Sequence, residues 1–145
     1  MAMPNNRTTI LFLCTGNSCR SQMAEGWARH LRAEVIEPYS AGIEKHGLNP
    51  LAVRVMAEAG VDISGQRSKL VTELPIAAFD YVVTLCGHAH ETCPYVPGRI
   101  VHHGFPDPPR LAQDAATEED ILQVYRAVRD QIRAFVASLP ESLPR

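Results

Sequence analysis

The amino-acid sequence predicts an α/β protein, a three-layer sandwich with a central four-stranded parallel sheet. Short apolar runs alternate along the chain with longer segments whose apolar residues recur at helical spacing, which is typical of strand-helix-strand units. Two of the short runs, residues 10–13 and 79–85, are mostly apolar instead of alternating with polar residues. Strands of that composition are buried on both faces, as in a parallel sheet covered by helices.

The first strand and the first helix flank a short loop that contains glycine. Residues 8–13 are β-branched and apolar, which predicts a strand. From residue 22 to residue 32 the apolar spacing becomes helical, and Ser21 is the expected N-cap of this helix. Its predicted buried face consists of Met23, Trp27 and Leu31.

A second strand, at residues 35–41, and a second helix are predicted next. Asn49 and Pro50 are typical of a helix start, because asparagine caps the first turn and proline suits the first helical position. This helix is expected to extend to about Ala59 and to end at Gly60. Residues 61–75 are expected to form a loop with one or two short helical turns.

The rest of the chain supplies two more strands and the most strongly periodic helix. The strands are predicted at residues 79–85 and 99–103. The helix is predicted at about 118–139, because apolar residues repeat there at helical spacing. Residues 140–145 are expected to form a loose tail.

Size and charge limit the possible functions. With 145 residues, 46% of them hydrophobic, the chain is expected to form one domain, residues 1–145, and to be a monomer. The net charge of -2 offers no basic surface for nucleic acid, and no apolar run approaches the roughly 20 residues of a membrane span. The first seven residues contain no secretory signal, so we expect a cytoplasmic protein. Thiols stay reduced there, and the four cysteines therefore indicate chemistry more than cross-links.

The segment CTGNSCRS, residues 14–21, has three possible interpretations: a metal site, a disulfide, or an anion-binding loop with a nucleophilic cysteine. A metal site is disfavoured because no histidine or cysteine pair follows at zinc spacing and Arg20 would repel a cation. An anion-binding loop is favoured because the backbone N–H groups between Cys14 and Arg20 precede a helix N-terminus and can converge on a tetrahedral oxyanion. Gly16 permits the tight curvature.

Two side chains complete this interpretation of the loop. The guanidinium of Arg20 can hold two oxygens of the anion at once, which a lysine cannot do in the same geometry. The positive surroundings are expected to lower the pKa of Cys14 and to make it a thiolate nucleophile. Ser21 can add a hydrogen bond from its hydroxyl to the sulfur. Cys19 is expected to be mostly structural, with its backbone N–H contributing to anion binding.

The predicted sheet brings two further groups toward this loop. In parallel sheets the binding crevice lies beyond the carboxyl ends of the strands. Cys14 follows the first strand, Cys86 the third, and Asp107 the fourth. We therefore expect these three residues at one edge of the sheet.

Cys86 and Cys93 leave several interpretations open. Together with His88 and His90 they could bind zinc, although the spacing matches no common motif. They could also be buried bystanders, or a pair that resolves a disulfide formed by Cys14. A helix over residues 86–93 would hold the two Cα atoms about 10 Å apart, whereas a disulfide needs roughly 4.4–6.8 Å. Forming that disulfide would therefore require the segment to open.

Three features together carry a resemblance: residues 14–21, the Asp107-Pro108 pair, and the Cys86-x6-Cys93 pair. In these features the chain resembles the thioredoxin-coupled arsenate reductases, which share the low-molecular-weight protein tyrosine phosphatase fold, a flavodoxin/Rossmann-like arrangement. The resemblance covers nearly the whole chain. The loop and the aspartate are common to reductases and phosphatases, and the paired cysteines indicate the reductases.

The resemblance implies a chemistry for each residue. Cys14 would attack the arsenic of arsenate, and Asp107 would protonate the departing hydroxyl. Cys86 would then attack Cys14 and release arsenite, and Cys93 would move the disulfide to the surface, where thioredoxin reduces it. The oxyanion would be held by the loop residues Thr15, Gly16, Asn17, Ser18, Cys19, Arg20 and Ser21.

We expect no cofactor and no metal to take part in the chemistry. Some relatives bind potassium near residues resembling Asn17, Glu25 and Ser40. Here Lys69 stands where those relatives carry an acidic residue, and we expect its ammonium to occupy the position of the ion. The alternative function is a phosphatase that hydrolyses phosphate monoesters through Cys14. Pro109 and Arg110 disfavour it, because phosphatase relatives often carry an aromatic residue after the Asp-Pro pair.

Overall fold

The computed structural model of the chain describes residues 7–87 and 96–144. His88, His90 and Cys93 therefore lie outside the described residues, as does most of the segment 86–93. The predictions for these residues fall outside the described ranges. No helix within the described ranges is long and apolar enough to cross a membrane.

The sheet has four parallel strands in the order β2-β1-β3-β4, and the predicted α/β class with a four-stranded parallel sheet is confirmed. The strands are β1 (Thr8–Cys14), β2 (Ile36–Gly42), β3 (Tyr81–Thr84) and β4 (Arg99–His102). The central strand β1 is fully buried from Ile10 to Leu13. Its carboxyl end is therefore a rigid starting point for the loop that follows.

Within residues 7–87 and 96–144, four helices and one 3-10 turn connect and cover the strands. They are α1 (Arg20–Leu31), α2 (Pro50–Glu58), α3 (Pro108–Leu111), α4 (Glu118–Ala137) and the turn Val71–Glu73. Helix α1 packs on β1, β2 and α4, and α2 packs on α4. The short helix α3 was not predicted, because it has too few residues to show helical periodicity. Prolines at its first two positions suit a helix start.

The predicted cap of α2 is confirmed, whereas the predicted cap of α1 is wrong. The side-chain oxygen of Asn49 accepts from Leu51 N at 2.8 Å and from Ala52 N at 3.2 Å. Helix α1 begins at Arg20, and Cys19 stands at its N-cap position without a side-chain cap bond. Ser21 lies inside the first turn, and its hydroxyl is 2.8 Å from the sulfur of Cys14.

The expectation of a loose C-terminal tail is wrong for the described residues 140–144. Leu139 is fully buried and Leu143 is 5% exposed, so the tail packs on the core. The carbonyl oxygen of Leu139 accepts from Arg32 Nε at 2.8 Å, and that of Pro144 accepts from Tyr81 Oη at 2.8 Å. The tail therefore ties the end of the chain to α1 and β3.

Candidate active site

A cavity of about 330 Å³ lies beyond the carboxyl end of β1, at the N-terminus of α1. The loop between the two elements, residues 14–19, forms its floor and is called the cradle loop below. Side chains from three other parts of the fold close the sides. The residues around the cavity are Cys14, Thr15, Gly16, Ser18, Cys19, Arg20, His46, Asp107 and Pro109.

The carbonyl oxygens of the cradle loop point away from the cavity because a neighbouring segment, residues 43–49, donates hydrogen bonds to them. We call these residues the bracing segment. Its amide groups reach four carbonyls. The donor–acceptor pairs are Ile43 N to Cys14 O at 3.3 Å, Glu44 N to Thr15 O at 2.8 Å, His46 N to Gly16 O at 3.0 Å, and Asn49 N to Ser18 O at 3.0 Å. The bracing segment thus follows the loop almost residue by residue.

Side chains on the other flank hold the middle of the cradle loop. Asn17 has a positive φ of 48°, a conformation that asparagine tolerates better than most residues, and its side chain is fully buried. Its carbonyl oxygen accepts from Gln22 Nε2 at 3.0 Å, and its side-chain oxygen accepts from Lys69 N at 2.9 Å. Ser68 Oγ donates to Gly16 O at 2.9 Å.

The amide groups of the cradle loop are thereby free to face the cavity. Within residues 7–87 and 96–144, no acceptor is found for the backbone N–H groups of Thr15 to Arg20. Several unpaired amides that converge at a helix N-terminus form an anion-binding site. The predicted anion cradle therefore has the backbone geometry that the chemistry requires.

Cys14 lies at the base of the cradle with its sulfur beside a hydroxyl. Its Sγ is 2.8 Å from Ser21 Oγ, and that oxygen accepts from Asn17 Nδ2 at 2.8 Å. Because the amide of Asn17 donates to Ser21, the hydroxyl hydrogen of Ser21 can point at the sulfur and stabilise a thiolate. The expected hydrogen bond between Ser21 and the sulfur is confirmed.

Arg20 and Asp107 form the side of the cavity nearest α3. The guanidinium of Arg20 donates from Nη1 to Phe105 O at 2.9 Å, and its Nη2 is 3.6 Å from Asp107 Oδ1. The Arg20 side chain is only 12% exposed, whereas that of Asp107 is 40% exposed. Arg20 is therefore fixed in place, and Asp107 is open to solvent.

Cys86 lies at the rim of the cradle, as the strand order predicts. Its Sγ is 3.2 Å from Thr15 Oγ1, and Thr15 is the neighbour of Cys14 in the chain. Cys86 is buried, with 7% of its surface exposed. A second thiol thus lies beside the residue that follows Cys14, although 71 positions separate Cys86 from Thr15 in the sequence.

Cys19 differs from Cys14 in its surroundings. Burial raises the pKa of the Cys19 thiol strongly, and the nearby Cys14 and Asp107 raise it further, while Arg20 acts in the opposite direction. Cys19 therefore stays protonated, in agreement with its expected structural role. No group of three or more possible metal ligands occurs among the described residues.

Lys69 occupies the position expected for its ammonium group. Its Nζ is 3.3 Å from Ser40 Oγ and 3.5 Å from Glu25 Oε1, and Ser40 Oγ donates to the same Glu25 oxygen at 2.5 Å. Glu25 also pairs with Arg29 at 2.9 Å. A buried carboxylate behind the cradle loop is thus compensated by cations of the chain itself.

The bracing segment and its histidine were not predicted from the sequence. His46 was left without a role, yet it lines the cavity and its ring packs against Gly16. Gly42, which precedes the segment, was also missed. A Cβ atom there would lie 2.5 Å from Glu44 O and 2.8 Å from Thr15 O. A signal was present, because the segment follows β2 at the same edge of the sheet as Cys14.

Comparisons with known proteins place the chain among relatives of one fold. A model of the family described as low molecular weight phosphotyrosine protein phosphatase matches residues 9–145. An arsenate reductase of Halalkalibacterium halodurans is 48% identical over 139 residues, which cover 94% of this chain and 98% of the relative.

Two solved structures extend this likeness. One is described as an arsenate reductase in the phosphate binding state, with a TM-score of 0.72, 33% identity and coverage of 91% of this chain and 95% of the other. The other is a thioredoxin-dependent arsenate reductase of Corynebacterium glutamicum, with a TM-score of 0.65 and 27% identity. It covers 94% of this chain and 63% of the other.

The substitution Gly42→Ala tests the close contact between β2 and the cradle loop. The added methyl group would lie 2.5–2.8 Å from three backbone atoms, of Glu44, Asn17 and Thr15, which cannot move aside without distorting the loop. We expect phosphate affinity, measured by calorimetry, to fall at least about tenfold and stability to fall by roughly 1–3 kcal/mol.

Gly65→Ala is the matched control for this test. No atom lies within 4 Å of the position that a Cβ would take at Gly65, so phosphate affinity should be unchanged. Equal phosphate affinity in the two alanine variants would show that the loop geometry does not depend on Gly42.

Proposed function

The chain belongs to the low molecular weight phosphotyrosine protein phosphatase family, and within it we propose that this protein is an arsenate reductase that converts arsenate to arsenite. The observation that carries the proposal is the second thiol beside the cradle. The Cys86 sulfur is 3.2 Å from Thr15 Oγ1, and Thr15 directly follows Cys14 at the start of the cradle loop. A hydrolytic enzyme needs the cradle, whereas a reductase also needs a thiol that can supply electrons.

The first step forms a bond between Cys14 and arsenic. The cradle amides and Arg20 hold the arsenate oxygens, and the Cys14 thiolate attacks the arsenic atom. Asp107 gives a proton to the departing oxygen, which leaves as water. The product is a Cys14–arsenic adduct in which arsenic is still pentavalent. Asp107 is supported in this role by its position, since its carboxylate lies 3.6 Å from Arg20 Nη2 and is open to solvent.

The second step reduces arsenic. The Cys86 thiolate attacks the sulfur of Cys14, a disulfide forms between the two, and the sulfur–arsenic bond breaks. The electron pair of that bond leaves with arsenic, which takes up protons and departs as trivalent arsenite. The two thiols lose two electrons when the disulfide forms, and arsenic gains them. The step is therefore balanced without a cofactor.

The third step regenerates Cys14 and passes the disulfide to a partner. Cys93 attacks Cys86 and forms a Cys86–Cys93 disulfide, which the dithiol of thioredoxin then reduces. The thioredoxin-dependent relative supports this partner. Cys93 lies outside the described residues, so its role rests on the sequence. A cytoplasmic location accompanies the proposal, because thioredoxin keeps thiols reduced there.

The alternative is a phosphatase that forms a phosphocysteine at Cys14. The specific observation in its favour is that the cradle, Arg20 and Asp107 are sufficient for hydrolysis of a phosphate monoester. The phosphatase reaction has no role for Cys86, which is buried beside Thr15. Pro109 and Arg110 follow the Asp-Pro pair, and neither offers an aromatic face to a tyrosyl ring.

Single serine replacements of Cys14, Cys86 and Cys93 test the relay. Arsenate-dependent NADPH oxidation, coupled through thioredoxin and thioredoxin reductase, is expected to fall roughly a thousandfold or more in each variant, because each thiol forms a bond that no other group can form. Phosphate binding to Cys86→Ser should match the wild type, which separates loss of the relay from loss of the cradle.

Two outcomes would contradict this scheme. Full activity of Cys93→Ser would exclude the third step and indicate that an external thiol resolves Cys86 directly. Rapid cleavage of aryl phosphates without any arsenate reduction in the wild type would favour the phosphatase.

Potassium should not activate this enzyme. The ammonium of Lys69 lies 3.3 Å from Ser40 Oγ and 3.5 Å from Glu25 Oε1, so the chain itself supplies the positive charge there. Turnover of arsenate should be the same in sodium and in potassium chloride at equal ionic strength, with choline chloride as the control. A several-fold rise in potassium alone would mean that the ion displaces Lys69.

A further inference from the structure

The imidazole of His46 forms the wall of the cavity next to Gly16. The position that a Gly16 Cβ would take lies 2.2 Å from His46 Nδ1 and 2.5 Å from its Cγ, so the Nδ1 edge of the ring faces the cradle loop. The backbone of His46 is fixed by its hydrogen bond to Gly16 O at 3.0 Å. The ring is therefore held at the cavity by both its main chain and its packing.

The side chain of Glu44 determines which ring nitrogen carries the proton. Glu44 Oε1 lies 3.0 Å from His46 Nε2, and a carboxylate binds the protonated nitrogen of an imidazole. In the neutral ring the proton is then on Nε2, and Nδ1 presents a lone pair beside the cradle. His46 is thus a hydrogen-bond acceptor at the wall of a cavity otherwise lined mainly by donors.

We propose that His46 is a specificity-determining residue that accepts a hydrogen bond from the protonated oxygen of the substrate, so that the cavity prefers arsenate and phosphate to sulfate. At neutral pH arsenate and phosphate retain a proton on one oxygen, whereas sulfate retains none. This inference deepens the proposed function and rests on it, because it assumes that the cradle binds the oxyanion substrate.

Most other groups around the cavity cannot make this distinction. The cradle amides and the guanidinium of Arg20 only donate hydrogen bonds. The carboxylate of Asp107 can also accept a hydrogen bond, but its Oδ1 lies 3.6 Å from Arg20 Nη2 and its side chain is 40% exposed, so the guanidinium and solvent compete for its oxygens. The hydroxyls of Thr15 and Ser18 can either donate or accept, and therefore suit protonated and bare oxygens equally.

An acceptor at this place penalises sulfate. A bare sulfate oxygen beside the Nδ1 lone pair gains no hydrogen bond and faces another electron-rich atom. A site built to pair with a substrate hydroxyl rejects an analogue that lacks the hydrogen, since the group of the protein is left unpaired. The penalty is moderate here, because half of the His46 side chain, 51%, is exposed and water can partly compensate.

The test compares calorimetric dissociation constants of inorganic phosphate and sulfate for the full-length reduced protein. At about pH 8 both ions carry two negative charges and differ in the single proton. In His46→Ala we expect the preference for phosphate over sulfate to fall about tenfold. In Glu44→Ala the fall should be smaller, because the ring is present but its tautomer is no longer fixed.

His30→Ala is the matched control, since His30 is an exposed histidine on α1 that does not line this cavity. It should keep the preference of the wild type. An equal loss of affinity for phosphate and for sulfate in His46→Ala would overturn the inference, because His46 would then only support the cradle. An unchanged preference would overturn it as well.

The measurement needs no turnover, so its result is separate from that of the relay assay. If the cysteine variants contradict the reductase scheme and the phosphate preference still falls in His46→Ala, then His46 selects protonated oxyanions for a different reaction. If the relay operates and the preference does not change, only the role of His46 is wrong.

Discussion

The site depends on one constraint, which is that the carbonyl oxygens of the cradle loop are held away from the cavity. Each carbonyl and its neighbouring amide belong to one planar peptide, so turning the oxygen outward turns the N–H inward. A carbonyl that faced the cavity would present a partial negative charge to an oxyanion. The donors of the bracing segment, of Gln22 and of Ser68 prevent this. The orientation of the cradle amides is therefore set by hydrogen-bond donors outside the loop.

This constraint connects distant parts of the chain to the chemistry. The bracing segment begins where β2 ends, and Asn49, which donates to Ser18 O, also caps α2 and donates to Tyr125 Oη at 3.1 Å. Lys69 joins Asn17 to the buried Glu25 and Ser40. Strand β2, helices α2 and α4, and the segment before the 3-10 turn thus all hold the cradle. A rigid cradle can stabilise developing charge without rearranging during the reaction.

The sheet, the cradle and the location of Cys86 could be predicted from the sequence. The hydrogen bonds that hold the cradle could not. Buried parallel strands leave a clear apolar signal, and the crevice rule then brings Cys14, Cys86 and Asp107 to one edge. The bracing bonds run from backbone amides and depend little on residue type, so residues 43–49 have no characteristic pattern. Ser21 was wrongly predicted as a helix cap. A serine before a periodic segment is typical of a cap, and the sequence does not show that its hydroxyl contacts the sulfur of Cys14 instead. The packed tail was missed because two leucines among prolines and polar residues show no periodicity.

Amide hydrogen exchange of the anion-free protein tests the central claim most directly. If the cradle is formed before any anion binds, the amides of Glu44, His46 and Asn49 are protected in the free protein, and adding phosphate changes their exchange only slightly. If these amides exchange at unprotected rates in the free protein and become protected only with phosphate, then the anion organises the loop, and the account of a cradle held from outside is wrong.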